Sequence, residues 1–166
     1  WMKKRKKHNA LDAPWSVYEL HLASWMRPDK NDEERYNSYD DIRERLVPYL
    51  KETGFTHVEF MPVMEHPFDG SWGYQCTGFF AATSRFGDPQ GLMRLIDALH
   101  QAEIGVLLDW VPSHFPYDAH GLFMFDGTHT YEYADMRKGF HPDWNSYIFN
   151  YKRGEVKSFL ISSARY

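Results

Sequence analysis

The first candidate site in the sequence combines a carboxylate with an imidazole. The run DWVPSHF, at 109–115, follows an apolar stretch and places Asp109 five residues before His114. If that stretch is a strand, both side chains stand near its carboxyl end and could converge on one ligand. A second interpretation stays open, in which Asp109 caps a helix or accepts hydrogen bonds within its own loop.

The second candidate site is a loop rich in aromatic rings, HPFDGSWGYQ at 66–75. Gly70 and Gly73 permit tight backbone turns around Trp72, and Tyr74 follows. Flat rings with polar edges suit stacking against the C–H face of a sugar. Side chains that could serve sugar hydroxyls lie in the same loop: His66, Asp69 and Gln75. The rings could instead pack the loop onto the fold.

Other kinds of reactive site find less support. Nine histidines are many for 166 residues, yet no helical pair has the spacing of a zinc protease. No serine or cysteine lies on a recognisable nucleophile elbow. The single cysteine, Cys76, fits a small buried hydrophobic side chain better than a reactive thiol. We therefore expect no metal site and no nucleophile–base pair.

Three apolar stretches are typical of strands and must position these loops: 16–22, 57–62 and 105–111. The third is a nearly continuous apolar run, as expected for a parallel strand covered on both faces. Each is followed by a long loop, at 23–37, 63–87 and 112–152. Loops of that length in a compact domain are more often functional than not.

Two helical patterns lie between the strands. Ser38 can cap the first, Gly54 can end it, and Pro48 inside it is expected to kink or shorten it. Asp88 can cap the second, with Pro89 at its first position. A third amphipathic pattern starts near residue 154.

The order strand, helix, strand, helix, strand, long loop, helix predicts right-handed parallel β/α units. The fold class is therefore α/β, either a doubly wound sheet or part of a (β/α)₈ barrel. No glycine-rich dinucleotide fingerprint or phosphate loop follows any strand, so the nucleotide-binding form has little support. In a barrel, the long loops after the strands carry the chemistry.

Composition and charge exclude several classes. With 43% hydrophobic and 25% charged side chains, 166 residues can form one domain with a sizeable core. No membrane span or secretory leader is readable, and one cysteine fits a reducing compartment, so we expect a soluble, cytoplasmic protein without a membrane partner. Basic residues cluster at 3–7 while the rest of the chain is acidic, which argues against nucleic acid as a partner.

Domain organisation can be predicted from the same features. We assign 1–13 to a basic linker and 14–166 to one catalytic domain. The chain starts at Trp1 and stops at Tyr166 inside an amphipathic run, so both ends look cut and we expect a piece of a longer protein.

From about residue 13 to 166 the sequence resembles the glycogen (1,4-α-glucan) branching enzymes of the α-amylase superfamily of glycoside hydrolases. DWVPSHF is similar to the superfamily's first signature, and HPFDGSWGYQ is similar to the branching-enzyme form of the loop after the second strand. The matching runs are VYELHLASW at 17–25, GFTHVEFMPVMEHPFDGSWGYQ at 54–75, RFGDP at 85–89, LLDWVPSHFPYD at 107–118, FDGT at 125–128 and DWN at 143–145.

The resemblance implies a partial (β/α)₈ barrel, about the first three β/α units with long loops after the strands. It implies that Tyr74 stacks on the sugar in the subsite where the bond is cut. Asp109 would fix the loop architecture and contact that sugar, and His114 would bond one of its hydroxyls. Trp72 is a weaker candidate for substrate binding. The resemblance implies no organic cofactor.

The implied chemistry is a retaining transfer of an α-1,4-glucan segment to a sugar 6-hydroxyl, which creates an α-1,6 branch in glycogen. The family's nucleophile, acid and third carboxylate lie on the fourth, fifth and seventh strands. We therefore expect none of them in this chain, and no branching by this chain alone. The expected partner is an α-glucan, glycogen or amylose. Two alternatives remain: a related superfamily hydrolase of the trehalose-releasing or amylase type, and a non-catalytic glucan-binding module.

Overall fold

The computed structural model describes residues 1–28 and 36–166. They form two compact units. The first unit comprises Trp1–Val63 and Ala82–Asp109, and the second comprises Met64–Ala81 and Trp110–Tyr166. Part of the predicted loop at 23–37 lies outside the described residues. Within them, no helix has the length and apolar character needed to cross a bilayer.

The elements within these described ranges follow in chain order. The helices are α1 Arg5–His8, α2 Tyr39–Thr53, α3 Pro89–Gln101, α4 Met136–Gly139 and α5 Gly154–Arg165. The strands are β1 Val17–Leu20, β2 His57–Phe60, β3 Met64–Glu65, β4 Gly78–Ala82, β5 Gly105–Leu108, β6 His114–Phe115, β7 Phe140–His141 and β8 Ser146–Ile148.

The first unit is built on a parallel sheet with the strand order β1-β2-β5. Val17 lies opposite His57, and His57 lies opposite Gly105, so the three strands start in line. Val58 and Phe60 are fully buried. The parallel strands predicted from the apolar stretches are confirmed, with each strand shorter than its stretch by two or three residues.

The helices α2 and α3 cover this sheet with one apolar stripe each. The fully buried side chains of the two stripes are Ile42, Leu46 and Leu50 on α2 and Leu95 and Leu99 on α3. Burying one such side chain contributes about 1.5–3 kcal/mol. The parallel sheet and its two helices thus form the core of the first unit.

Sequence signals at the helix ends are confirmed. The Ser38 hydroxyl accepts a hydrogen bond from the Asp41 amide, and the Asp41 carboxylate accepts one from the Ser38 amide, which is a capping box. The Asp88 carboxylate caps α3 through the Gly91 amide. Of the two effects expected of Pro48, shortening does not occur and a kink stays a prediction. The helix continues to Thr53, because a proline deletes one ladder bond while the buried stripe on both sides holds the helix on the sheet.

Two of the predicted long loops contain short strands. The stretch 63–87 contains β3 and β4, which pair with each other, and 112–152 contains an antiparallel sheet with the order β6-β8-β7. Their strands are mostly two or three residues long, which is too short for a readable alternation. The predicted third helix is confirmed as α5.

Aromatic rings fill the core of the second unit. Phe149 lies 4.7 Å from Phe115 and 5.5 Å from Phe79, measured between ring centroids. Cys76 is fully buried beside them, and burial raises the pKa of its thiol to about 12. The prediction that Cys76 is a buried small side chain is confirmed.

The basic stretch lies within the first unit, where residues 5–8 form the one-turn helix α1. The Lys4 ammonium forms an exposed ion pair with Glu103 at 2.6 Å. The assignment of 1–13 as a linker and 14–166 as one domain stays a prediction.

Candidate functional site

The loop at 66–75 is held by a series of tight turns. The Ser71 hydroxyl donates to the Phe68 carbonyl at 2.7 Å, and the Tyr74 amide donates to the Ser71 carbonyl at 3.0 Å. Trp72 has a φ of +56° and Gly73 a φ of +94°, both in the left-handed region. A non-glycine residue held there costs about 1–3 kcal/mol and is more frequent at functional sites.

Both aromatic rings of the loop reach the surface. Trp72 is 57% exposed and Tyr74 is 36% exposed. Packing of the loop onto the fold does not account for the exposed part of these two rings. The loop therefore presents two partly exposed aromatic side chains, as a sugar-stacking site requires.

His114 belongs to one face of the small antiparallel sheet. It lies opposite Ile148 on β8, and His141 lies opposite Ser146 on the same strand. Because opposite residues share a face and residues two apart on a strand share it too, these four side chains are on one side. Phe115, Phe140 and Tyr147 are on the other side, where their rings contact one another.

Trp144 lies in the turn between β7 and β8, next to this polar face. Its indole stacks on the His141 imidazole, with 4.0 Å between centroids and 5° between planes. The His114 ring is 5.1 Å from the same indole at a tilt of 40°. Despite these two ring contacts, Trp144 is 54% exposed.

A hydrogen bond joins the aromatic loop to the Trp144 turn. The Gln75 side-chain amide donates to the Trp144 carbonyl at 3.4 Å. Tyr74 is the neighbour of Gln75 in sequence, so the structure brings the loop of Tyr74 and Trp72 together with the turn that contacts His114. These residues form the candidate site of the second unit.

Three polar atoms on this face are buried and have no hydrogen-bond partner among residues 1–28 and 36–166: His114 Nδ1, His141 Nδ1 and Ser146 Oγ. A buried polar atom without a partner costs about 1–3 kcal/mol. Native proteins leave few such atoms, so three on one face of a small sheet call for an explanation.

His114 is buried, and this burial lowers the pKa of its imidazole below the usual histidine value, as does its electrostatic interaction with His141. The ring is therefore neutral near pH 7, with one nitrogen as donor and the other as acceptor. A neutral imidazole can exchange hydrogen bonds with a sugar hydroxyl in either direction.

Asp109 belongs to the first unit. It follows β5 directly, and its amide donates to the Phe60 carbonyl at 3.0 Å, which extends the parallel ladder by one residue. The prediction that Asp109 stands at the carboxyl end of the third parallel strand is confirmed. Its predicted contact with a sugar stays a prediction, as do the sugar contacts of Tyr74, His114 and Trp72.

Two residues of the site received no role from the sequence, Trp144 and His141. The signal that could have found them is the run HPDWN at 141–145, in which polar and turn-forming residues surround a tryptophan. The rest of the signal is tertiary, because the pairing of β6 with β8 brings His114 to a tryptophan thirty positions further along the chain.

Sequence comparisons find close relatives. The family described as "Alpha amylase, catalytic domain" matches residues 29–152. The 1,4-alpha-glucan branching enzyme GlgB of Aquifex aeolicus is 63% identical over 167 aligned positions, which cover 100% of this chain and 26% of the relative. The GlgB of Gloeobacter violaceus is 54% identical, with 99% of this chain and 22% of the relative covered. The chain thus spans about a quarter of the length of these curated relatives.

Solved structures share the fold. The α-amylase from Geobacillus thermoleovorans, complexed with acarbose, matches 91% of this chain and 36% of its own, with a TM-score of 0.72 and 22% identity. An Anoxybacillus α-amylase matches 90% of this chain and 37% of its own, with a TM-score of 0.70 and 20% identity. At such identities the likeness concerns the fold alone, and it confirms the α/β class and the partial (β/α)₈ barrel. The chain belongs to the α-amylase catalytic-domain family.

Proposed function

We propose that the protein is a 1,4-α-glucan branching enzyme and that this chain supplies one side of its donor-sugar subsite. The observation that carries the proposal is the grouping of partly exposed Tyr74, on its strained loop, with the Trp144 turn and the neutral imidazole of His114. An aromatic face beside a hydrogen-bonding edge is what a sugar ring needs. The 63% identity with a branching enzyme across the whole chain supports the choice of an α-glucan.

Each residue then has a defined role. Tyr74 stacks on the sugar whose bond is broken, and His114 exchanges a hydrogen bond with one of its hydroxyls. Asp109, at the end of the third parallel strand, orders its loop and contacts the glucan. Trp72 makes a weaker contact further along the glucan.

These residues bind and orient, and we assign to none of them the covalent chemistry. Retaining transfer needs a carboxylate nucleophile and a carboxylic acid at close separation. We propose that both lie on strands outside this chain, so that the chain alone makes no branches. The substrate is an α-glucan, and we place the enzyme in the cytoplasm, with which the single buried cysteine is consistent.

The experiment that tests the proposal is a chimera. This chain replaces the matching stretch of the Aquifex aeolicus GlgB, to which it aligns over its full length. The chimera is expected to lower the iodine absorbance of amylose and to form α-1,6 linkages. Tyr74→Ala and Asp109→Ala in the chimera should each lower kcat/KM by about tenfold or more, because each loses a contact that orients the donor sugar.

The matched control is Trp15→Ala, which removes a partly exposed aromatic ring from outside the candidate site. It should leave branching unchanged. Near-full activity of both Tyr74→Ala and Asp109→Ala would remove the site assignment. Release of free sugars instead of α-1,6 branches would favour a hydrolase of the same superfamily.

A further inference from the structure

We propose that Trp144, supported by His141, is a second stacking residue for the glucan and binds the sugar unit next to the one held by Tyr74 and His114. This inference rests on the proposed function, because it extends the same subsite. It assigns a ligand contact to a turn that the sequence left without a role.

The first argument is the geometry of the indole. One face of Trp144 is covered by the parallel His141 ring at 4.0 Å, which holds the plane of the indole. More than half of the side chain is nevertheless exposed. A large apolar ring that is both fixed and exposed binds a partner without a large loss of side-chain entropy.

The second argument is the position of the turn. The Gln75 bond ties it to the loop of Tyr74, and the His114 ring lies against the indole. A glucan that meets Tyr74 and His114 therefore passes beside Trp144 in the same unit. The two aromatic side chains would support neighbouring sugars of one chain.

The third argument is the set of unsatisfied polar atoms on the sheet face next to the Trp144 turn. His114 Nδ1, His141 Nδ1 and Ser146 Oγ have no partner within the described ranges, and Ser146 and His114 are more than nine-tenths buried. Sugar hydroxyls are both donors and acceptors, so they can satisfy imidazole and hydroxyl groups alike.

A matched pair in the first unit shows that a Trp–His stack does not by itself make a site. Trp15 stacks on His57 at 3.8 Å and 12°, and Trp15 is 46% exposed. Both ring nitrogens of His57 have partners, Thr56 Oγ1 at 2.9 Å and Asn9 Oδ1 at 3.4 Å. This pair has the same ring geometry without unsatisfied polar atoms, so it serves as the internal control.

The test measures protection of tryptophans in the unmodified chain. N-bromosuccinimide oxidises exposed indoles, and peptide mass spectrometry gives the rate at each position, with and without maltoheptaose. At a maltoheptaose concentration several times its Kd, oxidation of Trp144 should slow by about threefold or more, since only the unbound fraction of the protein reacts. Trp15, with similar exposure, should react at an unchanged rate.

Trp72 separates the two proposals, because it lies in the Tyr74 loop. Protection of Trp72 without protection of Trp144 would overturn this inference and leave the proposed subsite standing. Protection of neither, in a chain whose circular dichroism shows it folded, would overturn both. As a second readout, Trp144→Ala should reduce retardation in glycogen-containing native gels, whereas Trp15→Ala should migrate like the wild type.

Discussion

Each of the two units contains a tryptophan stacked on a strand histidine, and these two pairs differ in their hydrogen bonding. The ring geometries are nearly the same, 3.8 Å and 12° for Trp15 on His57 and 4.0 Å and 5° for Trp144 on His141. The nitrogens of His57 are both hydrogen-bonded, whereas Nδ1 of His141 has no partner among the residues described. Ring stacking alone therefore does not distinguish a structural pair from a candidate binding surface, while hydrogen-bond satisfaction does.

The backbone explains why the His57 ring in the first pair is held in place. His57 is the first residue of β2 and lies opposite Gly105 on the neighbouring parallel strand. A Cβ added at Gly105 would overlap the His57 ring, so the ring occupies the space that the glycine leaves. Trp144, in contrast, lies in a turn beside Asn145, whose φ of +47° is left-handed. The His57 ring is thus held against a neighbouring strand, whereas Trp144 lies in a turn.

The largest expected effect on stability comes from filling the space beside the His57 ring. Gly105→Ala should lower the free energy of unfolding by about 3 kcal/mol, because the new methyl group overlaps the His57 ring and the strands must move apart. Urea denaturation followed by circular dichroism measures it.

The control for this change is Gly154→Ala at the start of α5, where an added Cβ meets nothing within 4 Å. It should be neutral or slightly stabilising, since alanine favours a helix over glycine by about 1 kcal/mol or less. If Gly105→Ala were as stable as Gly154→Ala, the His57 pair would not be locked by its neighbours.

A smaller effect, different in the two units, is expected when the buried histidine beside each tryptophan, His57 or His114, becomes phenylalanine. His57→Phe removes two satisfied hydrogen bonds and should lower the free energy of unfolding by about 1–2 kcal/mol. His114→Phe removes a buried nitrogen that has no partner among the described residues and keeps a ring beside Trp144, so stability should stay within about 0.5 kcal/mol or rise.

Glucan binding should respond the other way: the variant that keeps its stability should lose binding. Retardation of His114→Phe in glycogen-containing gels should fall, whereas His57→Phe should be retarded like the wild type. A large loss of stability in His114→Phe would mean that its Nδ1 is bonded in the protein, and the contrast between the pairs would fail.

The first unit was largely predictable from sequence because its signals are local. The Ser38 cap and the Asp88–Pro89 start each act within one helical turn, and the apolar runs mark parallel strands by composition alone. Pro48 shows the limit of such signals, because the helix continues through it to Thr53. The free energy that the buried side chains of α2 contribute outweighs the local cost of the proline. Sequence periodicity identifies those side chains but does not give the size of their contribution.

The second unit was less predictable because its signals are tertiary. Tyr74 and His114 could be selected from residue type and resemblance, yet the sheet that positions His114 has strands of two or three residues. Nothing in a short run such as SYI fixes a partner strand. Trp144 and His141 therefore became visible as site residues only through the pairing of β8 with β6 and β7.

The smallest expected effect concerns protonation and compares the two units directly. Burial lowers the pKa of His114, with a smaller contribution from its electrostatic interaction with His141. Burial also lowers the pKa of His57, with a smaller contribution from His8. A histidine with a lowered folded-state pKa binds its proton more readily when unfolded. Stability is therefore complete above the ordinary pKa of about 6.5 and falls as the pH drops below it.

Removing one neighbouring histidine at a time tests whether the pKa values of His57 and His114 are independent. His141→Ala should raise the pKa of His114 and leave that of His57 unchanged, and His8→Ala should do the reverse, as followed by NMR titration of the ring Cε1–H signals. Burial, the larger cause in both cases, stays in place, so neither histidine should return to its ordinary pKa. A shift of both histidines in either variant would contradict the expectation that His57 and His114 titrate independently.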